Sequence, residues 1–318
     1  MPKTLKDETV YERVRCARLT YYELYVSQSN VFSGFQTAFE KANYVVVGIP
    51  FDATSTFRAA ARFAPNAIRE ASLNIETYSF HSEIDVEDLA VHDLGDLHVS
   101  ADIEETLRRA KLVVQDLLKA GKTPVILGGE HTVTLGCFQG LGSRTSETAV
   151  VSLDAHLDLR DEYLGLKTSH TTFMRRLNEQ AKPAKIIEIG TRAVCRQELE
   201  YADEADVKFF TTSEIRKLGT QRVIKKVESE VEDFSNVYLT VDMDVLDPAY
   251  APAVQNPEPG GLDMHTVLEV LHGICRKNIV ALDLVEVAPG YDFGVTAAVA
   301  AKILFETLCC MEKTRRKA

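Results

Sequence analysis

The 318-residue sequence has no apolar run long enough to span a membrane and no excess of positive charge. A membrane helix needs about 18 or more predominantly apolar residues in succession, a length that no segment of this sequence reaches. Lys and Arg number 36 against 47 Asp and Glu, which gives a net charge of −11. Because an acidic surface is repelled by nucleic acids and anionic membranes, we expect neither as a partner. A cation suits this balance better.

Cysteine is scarce and follows no pattern. The six cysteines form no CxxC pair and have no regular spacing. Residues 1–15 carry charges where a secretion signal would carry an apolar segment. We therefore expect reduced thiols and a cytoplasmic protein.

Sequence motifs for nucleotide binding and serine hydrolysis are also absent. Gly121-Lys122-Thr123 resembles the end of a phosphate-binding P-loop, but Asp116 stands where that motif needs a glycine. The glycine-rich stretch 136–142 does not fit GxGxxG, and no GxSxG occurs. These absences argue against an ATPase, a dinucleotide-dependent dehydrogenase and a serine hydrolase.

Six short runs rich in Val and Ile are continuous rather than alternating, which is typical of parallel strands buried on both faces. These runs are residues 44–49, 123–127, 149–153, 186–189, 237–241 and 279–284. Amphipathic patterns between them predict helices over 65–72, 102–120, 263–276 and 295–311, with an Asp102–Glu105 capping box. We predict a three-layer α-β-α fold with a mostly parallel central sheet. A single domain would cover 44–318, with an N-terminal extension, 1–43, packed on it.

Polar side chains follow four of these strands. Ligands bind beyond the carboxyl ends of strands in an open α/β sheet, so these side chains are candidates for one site. The candidates are His131, Asp154, His156, Asp158, Asp242, Asp244 and Glu286. Asp154 and Asp158 would lie about 13 Å apart in an extended chain, so both can be ligands only if the strand ends near Asp154. Asp242 and Asp244, about 6.6 Å apart in a strand, need no bend.

Several buried carboxylates and imidazoles in one place require compensation. Burying such charges unpaired costs several kcal/mol each. Two divalent cations about 3.5–4 Å apart would provide it. Four carboxylates and two imidazoles form a hard, oxygen-dominated set that suits Mn²⁺, while Zn²⁺, Co²⁺, Ni²⁺ and Fe²⁺ remain alternatives.

Six motifs in order along the chain resemble those of the ureohydrolases, the arginase/agmatinase superfamily of dinuclear manganese amidinohydrolases. The motifs are GGEH (128–131), SLDAHLD (152–158), SH (169–170), VDMDVLDP (241–248), PEPGG (257–261) and DLVEVAPGYD (283–292). The segments GIPFDATST (48–56) and ARFAPNAIREAS (61–72) resemble the N-terminal motif of agmatinases. The resemblance covers roughly residues 44–312. It implies an arginase-like fold.

The resemblance also implies two Mn²⁺ ions per subunit. One ion would be held by His131, Asp154, Asp158 and Asp242, and the other by Asp154, His156, Asp242 and Asp244. Asp154 and Asp242 would therefore bridge the ions. A hydroxide between the metals would attack the guanidinium carbon and release urea.

Three residues have catalytic roles by the same resemblance. His170 matches the histidine that shuttles a proton beside the substrate, Glu286 matches the carboxylate that binds the guanidinium group, and Asp158 would accept a hydrogen bond from the attacking water. The resemblance further implies a small cationic guanidino substrate and a homo-oligomer, either a trimer or a hexamer.

The sequence departs from the family pattern in three loops. Thr171, Ala253, Gln255 and the pair Ala59-Ala60 stand where the family commonly has glycine or proline. A Cβ costs roughly 1–2 kcal/mol wherever such a glycine has positive φ. We expect these loops to line the mouth of the site and to affect specificity more than metal binding.

The form GGEH and the N-terminal motif favour agmatine, hydrolysed to putrescine and urea. Arg160 and Lys167 either face solvent or favour a guanidino acid such as guanidinobutyrate, or arginine. Two further hypotheses remain. A non-catalytic relative acting as a binding subunit is expected to have lost a metal ligand, His170 or Glu286, and a deacetylase of similar architecture would need only one metal and other spacings.

Overall fold

The computed structural model describes residues 20–27 and 30–317. Its strands are β1 (Val26–Ser27), β2 (Tyr44–Gly48), β3 (Tyr78–Ser79), β4 (Ile84–Asp85), β5 (Val91–Leu97), β6 (Thr123–Leu127), β7 (Thr148–Leu153), β8 (Lys185–Thr191), β9 (Lys208–Thr211), β10 (Asn236–Asp242) and β11 (Ile279–Val285). Its helices are α1 (Tyr21–Tyr25), α2 (Ala64–Ser72), α3 (Ile103–Lys119), α4 (Val133–Gln139), α5 (Phe173–Ala181), α6 (Arg196–Glu204), α7 (Thr212–Leu218), α8 (Thr220–Glu230), α9 (Met264–Ile274) and α10 (Val295–Arg315).

Nine strands form one sheet in the order β1-β5-β2-β6-β11-β10-β7-β8-β9. All neighbouring strands in it are parallel except β1, which pairs antiparallel with β5. Val45 and Val47 belong to the core cluster on one face and Val46 to that on the other. All six predicted strands are present, and the predicted three-layer fold with a mostly parallel sheet is confirmed.

The strands that the sequence analysis missed lack a continuous apolar run. In β5, buried and half-buried residues alternate from Val91 to Leu97, and β9 is half-buried along its length at the edge of the sheet. The four predicted helices are α2, α3, α9 and α10. The helices α1 and α4 to α8 were not predicted.

The predicted capping box of α3 is wrong in one partner. The Asp102 carboxylate accepts a hydrogen bond from the Glu104 N–H at 3.0 Å, as an N-cap should. The Glu105 side chain instead binds Arg108 at 2.7 Å and Arg109 at 2.8 Å. These two ion pairs along the helix compete with the capping geometry for the same carboxylate.

Residues 1–19 of the predicted N-terminal extension lie outside the described residues. In the described part, the Tyr21 N–H donates to the Asp116 carboxylate at 2.6 Å, and β1 adds to the edge of the sheet beside β5. The boundary at residue 44 stays a prediction. Over residues 20–27 and 30–317, no helix is long and apolar enough to span a membrane.

The sheet brings the candidate residues to one edge. The strands β6, β11, β10 and β7 are neighbours, and each is followed at its carboxyl end by one of the polar segments singled out above. A glycine is needed where the loop after β2 crosses this edge, because a Cβ on Gly129 would lie 1.8 Å from the Phe51 carbonyl oxygen. The four segments and this loop therefore converge.

Candidate metal centre and active site

The chain turns directly after β7 and directly after β10. The strand β7 ends at Leu153, and Asp158 adopts φ +51°. The chain therefore bends near Asp154, as it must if Asp154 and Asp158 are both ligands of one site. After Asp242 the chain enters a 3₁₀ turn that contains Asp244, and the Asp242 carboxylate accepts the Asp244 N–H at 2.8 Å. The expectation that these two residues need no bend is therefore wrong.

A first group of side chains surrounds His131, which is fully buried. His131 Nδ1 lies 3.1 Å from Asp154 Oδ2 and 3.1 Å from Asp242 Oδ2. Asp158 Oδ2 is 3.5 Å from the same nitrogen. His131, Asp154 and Asp242 offer ligand atoms that all lie within 4.8 Å of one another. The structure thus places together the four predicted ligands of one ion.

A second group adjoins the first. His156 Nδ1 lies 3.0 Å from Asp244 Oδ2 and 3.5 Å from Asp154 Oδ1. These three residues also offer ligand atoms within 4.8 Å of one another. Asp154 therefore contributes one oxygen to each group, as a ligand that bridges two ions would.

Hydrogen bonding fixes the ring of His131 for metal binding. Its Nε2 lies 2.8 Å from the Thr240 hydroxyl. When Nδ1 binds a cation, the proton of the ring is on Nε2, which then donates to Thr240. The lone pair is then on Nδ1, a fully buried atom that makes no hydrogen bond. A hydrogen bond from the ring nitrogen that faces away from the metal is typical of histidines that bind metals.

The electrostatics of the two groups fit bound cations. Burial raises the pKa of Asp158 and of Asp242 well above its usual value, and neighbouring carboxylates raise both further. Burial alone would lower the pKa of His131, but the Asp154 carboxylate raises it to about 9. This excess of buried negative charge calls for positive charge, which two divalent cations would supply in place of protons.

His170, the predicted proton shuttle, is held by Thr54 and Glu130. The Thr54 hydroxyl lies 2.6 Å from Glu130 Oε1 and 3.1 Å from His170 Nδ1. Since a carboxylate only accepts, Thr54 donates its single proton to Glu130 and accepts from His170 Nδ1–H. The proton of the neutral ring is thereby fixed on Nδ1.

The other nitrogen of His170 faces the site as an acceptor. Its Nε2 lies 3.2 Å from Asn256 Nδ2, which can only donate, and 3.1 Å from the Thr56 hydroxyl. Burial lowers the pKa of His170 to about 4, and the positive charges of His156 and His131 contribute. Nε2 is therefore free of a proton and accepts hydrogen bonds.

Replacing Thr54 with Val is expected to lower kcat about 10-fold to 100-fold, because the ring of His170 loses the partner that fixes its proton on Nδ1. KM and metal content should change little. The comparison is Thr54→Ser, which keeps the hydroxyl and should restore most of kcat. A loss in Thr54→Ser with normal kcat in Thr54→Val would show that the methyl group matters and the hydroxyl does not.

Glu286 follows β11 and is almost fully buried at φ +70°. Its Oε1 accepts the His131 N–H at 2.6 Å, and its Oε2 accepts Nε2 of Gln255 at 2.6 Å. Burial raises the pKa of Glu286 to about 8. A cationic group docked on this carboxylate would favour its ionised form.

A cavity of about 470 Å³ opens onto these groups. It is lined at its base by His156, Asp158, His170, Asp242, Asp244 and Glu286. Nearer the mouth it is lined by residues that include Thr56, Arg160, Tyr163, Thr171, Arg192 and Glu258. These carboxylate and imidazole groups at the bottom of the cavity can bind cations and a small substrate together.

Residues 42–310 match the family model described as the arginase family. The chain belongs to the arginase family. It is 35% identical to an agmatinase of Halalkalibacterium halodurans, over 85% of this chain and 92% of that protein. It is likewise 35% identical to an N(1)-aminopropylagmatine ureohydrolase of Thermococcus kodakarensis, over 87% of this chain and 93% of that protein. The solved agmatine ureohydrolase of Thermoplasma volcanium superposes with a TM-score of 0.82 at 37% identity, over 88% of this chain and 94% of that one.

Membership confirms the class of enzyme expected from the motifs. The protein is an arginase-family hydrolase of agmatinase-like type, and its family acts on amidino C–N bonds with a dinuclear metal centre. The His and Asp groups described above can hold metal ions. The role of each individual ligand stays a prediction.

The structure corrects what was expected of the family departures. Ala253 and Gln255 are fully buried instead of lining the mouth. Thr171 does line the cavity. Among the departures, only Ala60 has positive φ, at +142°, so the backbone cost argued for such positions applies to that residue alone.

The two cations considered in the sequence, Arg160 and Lys167, behave differently. Arg160 lines the cavity, stacks over the Tyr163 ring at 5.0 Å and lies 4.0 Å from the Glu198 carboxylate. Lys167 is exposed and is not part of the cavity lining. The solvent-facing interpretation holds for Lys167 but is wrong for Arg160.

The residues that hold His170 were not singled out from the sequence. Thr54 and Thr56 lie in the motif GIPFDATST, which served only to indicate the family. Glu130 served only as part of the motif GGEH, which favoured agmatine as the substrate. The sequence feature that could have indicated them is the group of polar residues in that motif, which follows the apolar strand β2.

Proposed function

We propose that the protein is a manganese-dependent agmatinase, which hydrolyses agmatine to putrescine and urea. The observation that carries this proposal is the convergence of two His–carboxylate groups, His170 and Glu286 on a single cavity. The similarity to an agmatinase and to an agmatine ureohydrolase supports the choice of substrate. All the residues whose loss would mark a non-catalytic relative are retained in the sequence.

Six residues would hold the metal pair: His131, Asp154, His156, Asp158, Asp242 and Asp244. When bound, the cations would supply positive charge that lowers the pKa of a water molecule and so makes it a nucleophile at neutral pH. The Asp158 carboxylate would also accept a hydrogen bond from this water and orient it toward the substrate carbon.

Two residues would act on the substrate itself. Glu286 would bind the guanidinium group through two parallel hydrogen bonds, which fix its plane against the base of the cavity. His170 would accept a proton at Nε2 and return it to the departing amine nitrogen, since Nδ1 is committed to Thr54. The products would be urea and a free amine.

The mouth of the cavity supports a cationic tail on the substrate. Glu258 lines the mouth as a half-buried carboxylate, and an alkyl ammonium group could approach it. The positive charge of Arg160 is partly offset by Glu198 at 4.0 Å. A guanidino acid or arginine, bound through Arg160, is the second candidate because Arg160 does line the cavity.

Urea release from the Mn²⁺-reconstituted protein tests the proposal, with agmatine, arginine and guanidinobutyrate at matched concentration. We expect a preference for agmatine. In Glu258→Gln, KM for agmatine should rise about 10-fold while KM for guanidinobutyrate stays the same or falls. In Arg160→Met, KM for guanidinobutyrate should rise about 10-fold while KM for agmatine stays the same or falls. A wild-type preference for guanidinobutyrate that Arg160→Met removes would overturn the choice of agmatine and keep the chemistry.

We also propose a homo-oligomer, a trimer or hexamer, in a reducing cytoplasm. The free state of the described cysteines 137, 195, 275, 309 and 310 supports the reducing compartment. Light scattering on the purified protein tests the oligomeric state, and elemental analysis of the protein as isolated tests whether manganese is the native metal.

A further inference from the structure

Gln255 lies directly behind Glu286 and is fully buried. The two backbones are joined, since the Gln255 N–H donates to the Glu286 carbonyl at 3.2 Å. An isolated bridge pairs Val254 with Val287 beside them. Gln255 is thus fixed relative to Glu286 by main-chain contacts before its side chain is considered.

With Glu286 ionised, as it is when a cation is bound to it, the side-chain amide of Gln255 has one orientation that satisfies its neighbours. Nε2 donates to Glu286 Oε2 at 2.6 Å, and Oε1 accepts from the Ser55 hydroxyl. The reverse orientation would put an amide oxygen against a carboxylate oxygen, which is repulsive. The amide therefore links Glu286 to the loop that contains Ser55.

The hydrogen bonds around Glu286 leave a specific set of acceptor positions. An ionised carboxylate offers about four lone-pair positions, two on each oxygen. The His131 N–H uses one on Oε1, and Gln255 uses one on Oε2. One position remains on each oxygen, which matches the two parallel N–H groups of a guanidinium fork.

The same link reaches the proton shuttle. Ser55 lies between Thr54 and Thr56, whose hydroxyls lie 3.1 Å from the two ring nitrogens of His170. Asn256, next to Gln255, contacts His170 Nε2 at 3.2 Å. The segments 54–56 and 255–256 therefore hold Glu286 and His170 in one frame.

We propose that Gln255 is a positioning residue that holds the Glu286 carboxylate so that one acceptor position on each oxygen faces the guanidinium group. This inference rests on the proposed function, because it assumes that Glu286 binds a guanidinium. Gln255 acts through Glu286 and does not line the cavity. Its loss should weaken guanidinium binding in the ground state and the transition state alike, which raises KM and spares kcat.

Gln255→Met keeps the volume of the side chain and removes the amide. We expect KM for agmatine to rise about 10-fold to 100-fold, the range for losing one hydrogen bond to a charged group. The Kd of free guanidinium ion, measured by calorimetry on the Mn²⁺-loaded protein, should rise by a similar factor. We expect kcat to stay within about threefold and metal content to stay unchanged. The matched control is Gln197→Met, at an exposed position on α6.

Gln255→Leu is a second variant, which also removes the amide and leaves Glu286 Oε2 without the donor that lies 2.6 Å away. The loss of guanidinium binding should match that in Gln255→Met. If Gln255→Met fails to fold, this variant provides the same comparison. A guanidinium Kd that is unchanged in Gln255→Met, or in Gln255→Leu where only that variant folds, would overturn the inference. A loss of kcat and metal with normal guanidinium binding would also overturn it, because it would show a packing role.

The wild-type protein separates this inference from the proposed function. Wild type that releases no urea and binds no guanidinium ion would refute both the function and the inference. Wild type that is active, with a Gln255→Met variant of normal KM and normal guanidinium Kd, would refute the inference alone. Calorimetry measures the Kd of guanidinium ion without turnover. The role of Gln255 can therefore be tested even if the substrate is a different guanidino compound.

Discussion

Asp154→Asn is expected to remove both metal ions and to reduce urea release to background. Asp154 places one oxygen 3.1 Å from His131 Nδ1 and the other 3.5 Å from His156 Nδ1. An asparagine keeps one of these oxygens and puts an NH₂ group in place of the other. Because that NH₂ group cannot bind a cation, one ion loses a ligand outright, and the other keeps only an uncharged amide oxygen in place of a carboxylate oxygen.

Metal content after dialysis, measured by elemental analysis, checks this prediction together with urea release. The control is Asp233→Asn, the same chemical change at an exposed residue. Circular dichroism confirms that both variants are folded. A variant that kept two ions per subunit and normal turnover would remove Asp154 from its role as a bridging ligand.

Glu286→Gln should abolish turnover of guanidino substrates while metal content is unchanged. The charge that binds the guanidinium group is lost. In addition, the His131 N–H and Gln255 Nε2 each donate to a different oxygen of Glu286 at 2.6 Å. A glutamine has a single oxygen, so one of these buried donors must face an NH₂ group, at a cost of about 1–3 kcal/mol. The carboxamide is therefore held poorly as well as being uncharged.

Urea release at saturating Mn²⁺ over a wide range of agmatine concentrations provides the measurement, with metal analysis in parallel. Glu162→Gln, at an exposed position in the loop between Asp158 and His170, is the matched control. Turnover at a normal KM in Glu286→Gln would show that the guanidinium group docks elsewhere in the cavity.

The fold and the candidate ligands were predictable because they depend on local signals. A strand buried on both faces needs a continuous apolar run, and β6, β7, β10 and β11 each have one. Parallel strands in an open sheet present their carboxyl ends to one edge, so the polar residues after those strands had to meet. Asp154, Asp242 and Glu286 could therefore be placed in one site without coordinates.

The side-chain contacts that hold His170 and Glu286 in place could not be predicted in the same way. The contact between Gln255 and Ser55 joins segments 200 positions apart, and the contact between Thr54 and His170 joins segments 116 apart. The residue pattern around Gln255, Ser55, Thr54 or His170 does not indicate which distant segment each residue contacts. The turn after Asp242 was missed because a DxD pattern fits an extended strand and a 3₁₀ turn equally well.

The shared contacts of residues 54–56 have a consequence for how substrate range can change in evolution. One tripeptide contacts both ring nitrogens of His170 and, through Gln255, supports Glu286. A substitution there would alter proton transfer and guanidinium binding together. Residues at the mouth, such as Arg160 and Glu258, lack this double role. New substrates are therefore most easily acquired by mutation at the mouth, where the tail of the molecule can change while the hydrolytic chemistry is inherited intact.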